Sequence, residues 1–467
     1  MEDFISRSVE SFSKFLSDHQ DVLKNSKSTS QIISYILPYD HFKLLGKVDE
    51  ILKNSERSFY FENPESNFLI IGNDEILNIM ENGDSRFAIT DKKIREWKNK
   101  LVSNHEIIKS KRVPLFIGAM KFMVEHSDND WKDFNDSTWF IPKTMLLKTD
   151  NKQFFVFNFL YTSQTTFEYI LRNFQLKLEH FSKIAENNSS LPGIRGIKGN
   201  SPKDKKKWKQ LIEQALVSIE NRETNKVVLA RKIALLLSGE MNFEKVMSKF
   251  RSDYKTCHLF IYHFGKSFFF GATPEILGKF SQGEVQFDAL AGSAPRGRNE
   301  KEDKEFEMKL FASAKDRAEH NFVIDHIKNA LSSVCKEITE KEKLTVKKLS
   351  NIQHLLTIIS AKLKPESSLF SVIKKIYPTP AICGSPQNKA LHFIKKHENF
   401  RRGLYSGIIG WFNLENEGDF VVALRSALTY GNMLIAYAGS GIVQNSEADP
   451  EFAETELKLK PIMSLFK

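Results

Sequence analysis

The sequence predicts an α+β fold, in which β-sheets and helices form separate layers. Strand candidates recur throughout the 467 residues, and the helical stretches between them do not alternate regularly with single strands. The hydrophobic content of 41% suffices for an extensive core and excludes global disorder. The 68 Lys and Arg exceed the 58 Asp and Glu, so the formal net charge is only mildly basic, at +10.

Strands are predicted from alternating, aromatic or β-branched residues, and helices from apolar residues at a spacing of three and four. In the first part of the chain they are strands at 58–61, 68–71, 113–122, 138–141 and 153–161 and a helix at 167–185. In the second part they are a helix at 208–219, a strand at 226–237, hairpins at 258–273 and 276–290, a long helix at about 301–335, strand pairs near 405–412 and 420–428, and a helix capped by Asp449.

One boundary is marked by composition. Residues 186–207 are rich in Asn, Ser, Gly, Pro and Lys, which is typical of a surface connection. The part before it, 1–195, gathers no recognisable chemistry and is predicted to be scaffold. The chemistry-bearing residues all lie in the part after it, 200–467.

The chain is expected to be cytoplasmic. Its cysteines, Cys257, Cys335 and Cys383, are odd in number and include no CxxC pair, so neither a disulfide framework nor a thiolate zinc site is supported. The N-terminal residues mix charges with apolar side chains, unlike a signal peptide. No stretch approaches eighteen consecutive apolar residues, so no membrane partner is expected.

A cluster of lysines lies beside the boundary, at Lys203, Lys205, Lys206, Lys207 and Lys209. A non-catalytic scaffold that binds nucleic acid through this cluster is the alternative from another functional class, and it predicts salt-sensitive binding. No known nucleic-acid-binding motif accompanies the cluster. We therefore expect a solvated helix start and no nucleic-acid partner.

Two helical stretches each carry carboxylates at a spacing of three. Asp316 and Glu319 share one helix face, and Glu451, Glu454 and Lys458 share another. Carboxylate oxygens are ligands that Mg²⁺ prefers, usually one or two of them together with water and an anionic substrate. On spacing alone, two solvent-facing acidic helix faces are the competing interpretation.

Nine short segments follow one another in this part of the chain. They are 226–231 (KVVLAR), 273–275 (TPE), 289–293 (ALAGS), 315–320 (KDRAEH), 378–381 (PTPA), 402–407 (RGLYSG), 423–425 (ALR), 438–443 (AGSGIV) and 451–458 (EFAETELK). In this order they closely resemble the chorismate-binding enzymes, which include isochorismate synthase, salicylate synthase and the large subunit of anthranilate synthase. The resemblance covers roughly 201–461.

The resemblance implies a large two-layer fold similar to anthranilate synthase component I, with two β-sheets packed face to face and helices outside. It makes 1–195 the variable outer part of that fold and 200–467 its chorismate-binding catalytic region. It also implies a cleft between the sheets that binds chorismate and Mg²⁺. The chain would then act on this small molecule as a monomer, with no amidotransferase subunit.

The resemblance also implies a role for each matching residue. Lys226 matches a general base and Glu275 a general acid, which must stay protonated and therefore needs a raised pKa. Glu319 and Glu454 match direct Mg²⁺ ligands, and Asp316 and Glu451 match ligands that act through water. The expected substrate-binding residues are Gly292, Ser293, His354, Ala381, Tyr405, Leu424, Arg425, Gly439, Gly441 and Lys458.

The implied activity is that of an isochorismate synthase, an isomerase that adds water at C2 of chorismate and removes the C4 hydroxyl. Lys226 favours water over ammonia as nucleophile, and Ala381 resembles the isochorismate synthases. Tyr405 and Leu424 are the pair seen in salicylate-forming members, so salicylate synthase, which also releases pyruvate, stays as the alternative. The product could supply either menaquinone or a catechol siderophore.

Overall fold

A computed structural model describes residues 2–25, 30–39, 46–108, 113–124, 130–341, 344–348 and 352–466. The side chains of Asn25, His105, Lys315 and Glu319 lie outside this description. The helices are α1 Glu2–Asp18, α2 Gln20–Asn25, α3 Val48–Lys53, α4 Arg86–Arg95, α5 Phe167–Lys183, α6 Pro202–Glu220, α7 Phe243–Asp253, α8 Glu300–Ala312, α9 Ala314–Leu331, α10 Leu369–Ile376, α11 Gln387–His397 and α12 Ala448–Met463.

The strands run through the whole described chain and are mostly five to twelve residues long. They are β1 Gln31–Pro38, β2 Arg57–Asn63, β3 Phe68–Asn73, β4 Leu77–Glu81, β5 Leu101–Ser103, β6 Leu115–Met120, β7 Ser137–Ile141, β8 Thr144–Thr149, β9 Lys152–Tyr161, β10 Ile194–Lys198, β11 Lys226–Leu237, β12 His258–Phe264, β13 Ser267–Thr273, β14 Ile276–Ser281, β15 Glu284–Pro295, β16 Cys335–Glu340, β17 Thr345–Lys348, β18 Ile352–Leu363, β19 Gly384–Ser385, β20 Ile408–Asn413, β21 Gly418–Val422, β22 Ser426–Tyr430 and β23 Met433–Ile442.

These strands form two large sheets. Sheet A has the order β10-β11-β23-β22-β13-β12-β2-β3-β8-β9-β1-β5, and β19 also pairs with β11. Sheet B has the order β16-β18-β15-β14-β21-β20-β6-β7-β4, and β17 also pairs with β18. Strands from before residue 195 and after residue 200 are present in both sheets.

The two sheets pack face to face through a core of large aromatic side chains. Phe140 of sheet B stacks on Tyr262 of sheet A with ring centroids 6.5 Å apart, and Phe68 contacts Trp411 across the same interface at 5.3 Å. Burying each such side chain contributes roughly 1.5–3 kcal/mol. Glycine allows close approach at one point, because a Cβ at Gly72 would lie 2.4 Å from Ile117 Cδ1.

Helices cover the outer faces of both sheets. On sheet A, Phe12 of α1 and Phe174 of α5 pack against each other and against strand residues such as Phe157. On sheet B, Phe370 of α10 packs against Trp139, at 5.7 Å. This segregation of helices from sheets is the layered α+β arrangement that the strand and helix pattern predicts.

Three local predictions need correction. The polar segment 186–207 contains β10, which pairs with β11, and α6 already begins at Pro202. The predicted helix 301–335 is two helices, because Ser313 ends α8 and its side chain caps α9. Helix α12 begins at Ala448, so Asp449 lies in its first turn and is not the cap. The Asp449 carboxylate forms an ion pair with Lys205.

The lysine cluster at 203–209 lies at the start of α6, with its lysine side chains exposed. Its position agrees with the expected solvated helix start. Among the residues that the structure describes, no helix combines the length and the apolar character needed to cross a bilayer.

Candidate active site

A cavity of about 730 Å³ lies between elements of both sheets and the helices α9, α10 and α12. This volume is within the usual range for a small-molecule site. All the predicted catalytic and substrate-binding residues line it, together with one predicted metal ligand. These residues are Lys226, Glu275, Gly292, Ser293, His354, Ala381, Tyr405, Leu424, Arg425, Gly439, Gly441, Glu454 and Lys458.

Lys226 is the first residue of β11 and is partly buried. Strand β11 pairs with β23, and in this pairing Val228 of β11 lies opposite Gly441 of β23. A Cβ at Gly441 would lie 2.9 Å from Lys226 Cε and 3.6 Å from its Nζ. The glycine therefore leaves the space in which the lysine side chain extends towards the cavity.

Glu275 lies where the chain leaves sheet A at β13 and enters sheet B at β14. Its backbone is held on both sides: its amide donates to Thr273 Oγ1 at 3.2 Å, and its carbonyl accepts from the Val422 amide at 3.0 Å. Burial raises the pKa of its carboxyl group, while the Lys347 cation opposes this rise. This direction agrees with the prediction for a general acid.

A β-bulge in β15 shapes the opposite wall. Gly292 has φ +68°, and the register between β15 and β18 shifts at this residue. The bulge brings Ser293 Oγ within 2.9 Å of His354 Nδ1, which is 3.2 Å from the Gly292 carbonyl. Burial lowers the pKa of His354, so the neutral ring is favoured.

Tyr405 and Arg425 form a polar corner of the cavity. Tyr405 is buried, stacks on Tyr437 at 5.2 Å, and its hydroxyl lies 3.1 Å from the position of a Cβ at Gly439. Burial lowers the pKa of the Arg425 guanidinium. The nearby Tyr405, Glu454 and Glu275 oppose this lowering electrostatically. A cation and a phenol in this setting can bind a carboxylate.

Helix α12 adds a charged pair beside β23. Lys458 Nζ lies 2.5 Å from Glu454 and donates to the Gly439 carbonyl at 2.9 Å. Burial lowers the pKa of Lys458. Burial alone would raise the pKa of Glu454, but the Lys458 ammonium holds it below its ordinary value.

Two other predicted metal ligands, Glu451 and Asp316, lie next to the cavity lining. Glu451 accepts a hydrogen bond from Ser440 of β23, and Asp316 of α9 packs against Gly292, where a Cβ would lie 3.2 Å from its Oδ1. Glu319 also belongs to α9, but its side chain is outside the described part. Among the described side chains, no three acidic, His or Cys groups converge as a metal cage.

The donor chemistry of this region nevertheless fits Mg²⁺. The described candidates Asp316, Glu451 and Glu454 each offer carboxylate oxygen, and α9 and α12 pack against β15 and β23 of the same cavity. A preformed cage of three protein ligands is not required, because Mg²⁺ commonly takes one or two carboxylates and keeps several waters.

Sequence reasoning missed several lining residues. Asp288 of β15 forms an ion pair with Lys347 of β17 at 2.9 Å. Phe322, Val323 and His326 of α9 also line the cavity. Their spacing of three, four and seven from Glu319 in the sequence was a usable signal, because this spacing repeats along one helix face.

Comparison with known proteins adds independent findings. A family model described as "Chorismate binding enzyme" matches residues 15–467. The isochorismate synthase of Bacillus subtilis is 31% identical over 418 residues, covering 88% of each chain. These matches confirm the resemblance that the motifs indicate.

Two solved structures share the fold. The menaquinone-specific isochorismate synthase from Escherichia coli has a TM-score of 0.77 and 22% identity, covering 97% of this chain and 100% of that one. Anthranilate synthase component I from Streptococcus pneumoniae has a TM-score of 0.71 and 20% identity, covering 86% and 92%. They confirm the predicted two-sheet fold. On the family match and the sequence identity, the chain belongs to the family of chorismate-binding enzymes.

Proposed function

We propose that this protein is an isochorismate synthase, which converts chorismate to isochorismate by adding water at C2 and removing the hydroxyl at C4. The observation that carries the proposal is that an amine and a carboxyl group line the same cavity. Lys226 comes from β11 of sheet A, and Glu275, whose pKa is raised by burial, lies just before β14 of sheet B. The similarity to the Bacillus subtilis enzyme of that name supports it.

The proposed proton transfers balance. The Lys226 amine takes a proton from water as its oxygen forms a bond to C2, and the ring double bonds shift. The C4–O bond breaks, and Glu275 gives its proton to the departing hydroxyl, which leaves as water. Solvent then takes the proton from Lys226 and returns one to Glu275, so the net reaction is an isomerisation.

The substrate carries two carboxylates, and the cavity offers two places for them. Arg425 and Tyr405 would hold the enolpyruvyl carboxylate, since a guanidinium and a phenol can donate to it together. The ring carboxylate would lie near Lys458 and the bulge at Gly292 and Ser293. His354 and Ala381, with Leu424, Gly439 and Gly441, would complete the walls around the ring.

We also propose that the enzyme uses Mg²⁺. Glu454 and Glu319 would hold the ion directly, and Asp316 and Glu451 would act through water. When bound, Mg²⁺ would neutralise and orient the ring carboxylate. The support is the carboxylate donor set on α9 and α12.

Salicylate synthase is the second candidate, because Tyr405 and Leu424 both line the cavity. Such an enzyme would carry the reaction further and eliminate pyruvate. Ala381, which lines the same cavity, favours release of isochorismate.

The test is incubation with chorismate and Mg²⁺, followed by chromatography of the products. Isochorismate alone supports the proposal, and salicylate with pyruvate supports the second candidate. No conversion would overturn both. We further propose that the enzyme acts as a monomer with no amidotransferase subunit, which gel filtration tests. We also propose that it works in the cytoplasm, where its product would supply menaquinone or a catechol siderophore.

A further inference from the structure

The strand that carries Lys226 has a gap along one edge. On its inner edge β11 pairs with β23 from Val227 to Leu236. On the other edge β19 pairs only with Lys226 and Val227, and β10 pairs only from Ala234 onwards. In the described part of the chain, no strand pairs with this edge between 228 and 233. Buried backbone groups need partners, so the gap must be closed by other means.

Side chains and one loop close this gap. The Val228 amide donates to the Cys383 carbonyl at 2.9 Å, and the Val228 carbonyl accepts from Arg402 Nη2 at 2.7 Å. The Ala230 amide donates to Glu398 Oε1 at 2.8 Å. Arg402 and Glu398 therefore provide two of the hydrogen bonds that a neighbouring strand would have made, at Val228 and Ala230.

The two residues form a buried ion pair. Arg402 Nη2 lies 2.5 Å from Glu398 Oε1, and Arg402 Nε donates to Oε2 at 2.9 Å. Only 1% of the Arg402 side chain and 2% of the Glu398 side chain are exposed. The guanidinium also stacks over Phe122, at 4.5 Å from the ring centroid.

Arg402 joins three walls of the cavity. Through Val228 it holds β11, which begins at Lys226. Its Nη1 donates to the Ile382 carbonyl at 2.9 Å, next to Ala381. Its own carbonyl accepts from the Tyr405 amide at 2.9 Å. The Arg402 side chain thus joins the strand that carries Lys226 to the Ala381 loop, and the backbone of the same residue holds Tyr405.

We propose that Glu398 and Arg402 are positioning residues, which fix Lys226 and the Ala381 loop relative to each other for the reaction. This inference rests on the proposed function. Removing two charges from water is costly, and well-packed apolar residues often replace a buried ion pair without loss of stability. Apolar residues could not bond to Val228, Ala230 and Ile382 at once, whereas this pair does.

The decisive variant is Arg402→Met, with Arg57→Met as matched control. Arg57 is another buried arginine, on β2 of sheet A, ion-paired to Glu75 and stacked over Phe264, but neither of these partners lines the cavity, whereas Val228 and Ile382, which Arg402 contacts, do. Assays are run at temperatures where thermal unfolding shows each variant folded. We expect Arg402→Met to lower kcat about 100-fold while KM for chorismate changes less than about threefold. Arg57→Met keeps the wild-type kcat.

Two conservative variants cover the case in which Arg402→Met does not fold. Arg402→Lys keeps the charge but cannot reach both carbonyls and the carboxylate, and Glu398→Gln keeps the acceptor for Ala230 but loses the charge. Each is expected to lower kcat about tenfold at nearly constant KM. Folded variants with a kcat equal to that of Arg57→Met would overturn the inference.

A readout independent of turnover separates this inference from the proposed function. Hydrogen exchange at the Val228 and Ala230 amides should become faster in Arg402→Met and stay unchanged in Arg57→Met. Should the wild type make salicylate, the kinetic test applies to that product. Should it make nothing, the proposed function fails, and unchanged exchange at these two amides would still overturn the positioning role.

Discussion

The two walls of the cavity differ in how they are built. The wall from sheet A carries amines, Lys226 on β11 and Lys458 beside β23, with Gly441 leaving space for the first of them. The wall on the side of sheet B carries His354 on β18 and the buried carboxyl group of Glu275, which precedes β14. The proposed proton acceptor therefore lies on sheet A, and the proposed proton donor lies where the chain crosses to sheet B.

This difference shows what the aromatic core between the sheets does for the site. The separation of Lys226 from Glu275 depends both on β13 of sheet A, which leads into Glu275, and on the packing of sheet B, where the Val422 amide bonds to the Glu275 carbonyl. Contacts such as Phe140 with Tyr262 join strands from the N-terminal part to strands from the C-terminal part. The N-terminal residues thus help to set the geometry of a cavity whose described lining comes entirely from residues after 224.

The largest effect is expected for Lys226→Ala, which removes the proton acceptor from the sheet A wall. Loss of a general base lowers kcat by about 10²–10⁴-fold. Binding of chorismate and Mg²⁺, measured by calorimetry, should persist. Lys232→Ala, on the same strand but ion-paired to Asp130, is the control. Undiminished turnover in Lys226→Ala would remove the base assignment.

A smaller effect is expected for Glu454→Ala, which changes the charged pair on α12. The half-saturating Mg²⁺ concentration should rise at least about 10-fold, because a carboxylate ligand is lost and Lys458 keeps its charge without its partner. Titration of activity with Mg²⁺ measures this. Glu456→Ala is the control, since Glu456 pairs with Arg231 outside the cavity. An unchanged Mg²⁺ requirement contradicts the ligand role.

Gly441→Ala tests whether the Lys226 side chain needs the space that Gly441 leaves beside it. The added methyl group would lie 2.9 Å from Lys226 Cε, so the amine must move. We expect kcat to fall about 10-fold with little change in KM, because displacement of a reacting group costs rate. Gly196→Ala is the control, since the added methyl group would lie 4.0 Å from Leu236 Cβ, an ordinary contact distance. Equal kcat values for the two variants would show that this space is unimportant.

The smallest change is a shift in the protonation of Glu275 on the sheet B wall. The Lys347 cation opposes the rise in the pKa of Glu275, so Lys347→Met should raise that pKa further. In this variant Asp288 loses its ion pair with Lys347, and its negative charge also raises the pKa of Glu275. The protonated carboxyl band in the infrared spectrum, identified by its loss in Glu275→Gln, should then persist to higher pH. A shift to lower pH, or an equal shift in Lys362→Met, contradicts this account.

Much of the fold could be predicted because its signals are local. The hairpin at 258–273 turns at Gly265 as its sequence indicates, and the strand from Lys226 to Leu237 has the predicted bounds. The strand β10 could not be recognised, because it is short and polar and is defined by pairing with β11. The break at Ser313 could have been found, since Ser313 and Asp316 have the spacing of a helix cap.

The candidate site divides in the same way. Residues within continuous motifs, such as Glu275 and Arg425, could be assigned from the chain. The ion pair of Asp288 and Lys347 joins residues 59 positions apart, and the bond from Arg402 to Val228 spans 174 positions. Such contacts depend on tertiary packing, so one sequence could not reveal them.

The most direct test of the central claim is turnover of chorismate with Mg²⁺ in water labelled with heavy oxygen. In the proposed reaction Lys226 helps water to add at C2 and Glu275 helps the C4 hydroxyl to leave. Mass spectrometry should therefore find one labelled oxygen in the isochorismate, at C2. Isochorismate without label would contradict the addition of water, and salicylate with pyruvate as the products would contradict the proposed reaction.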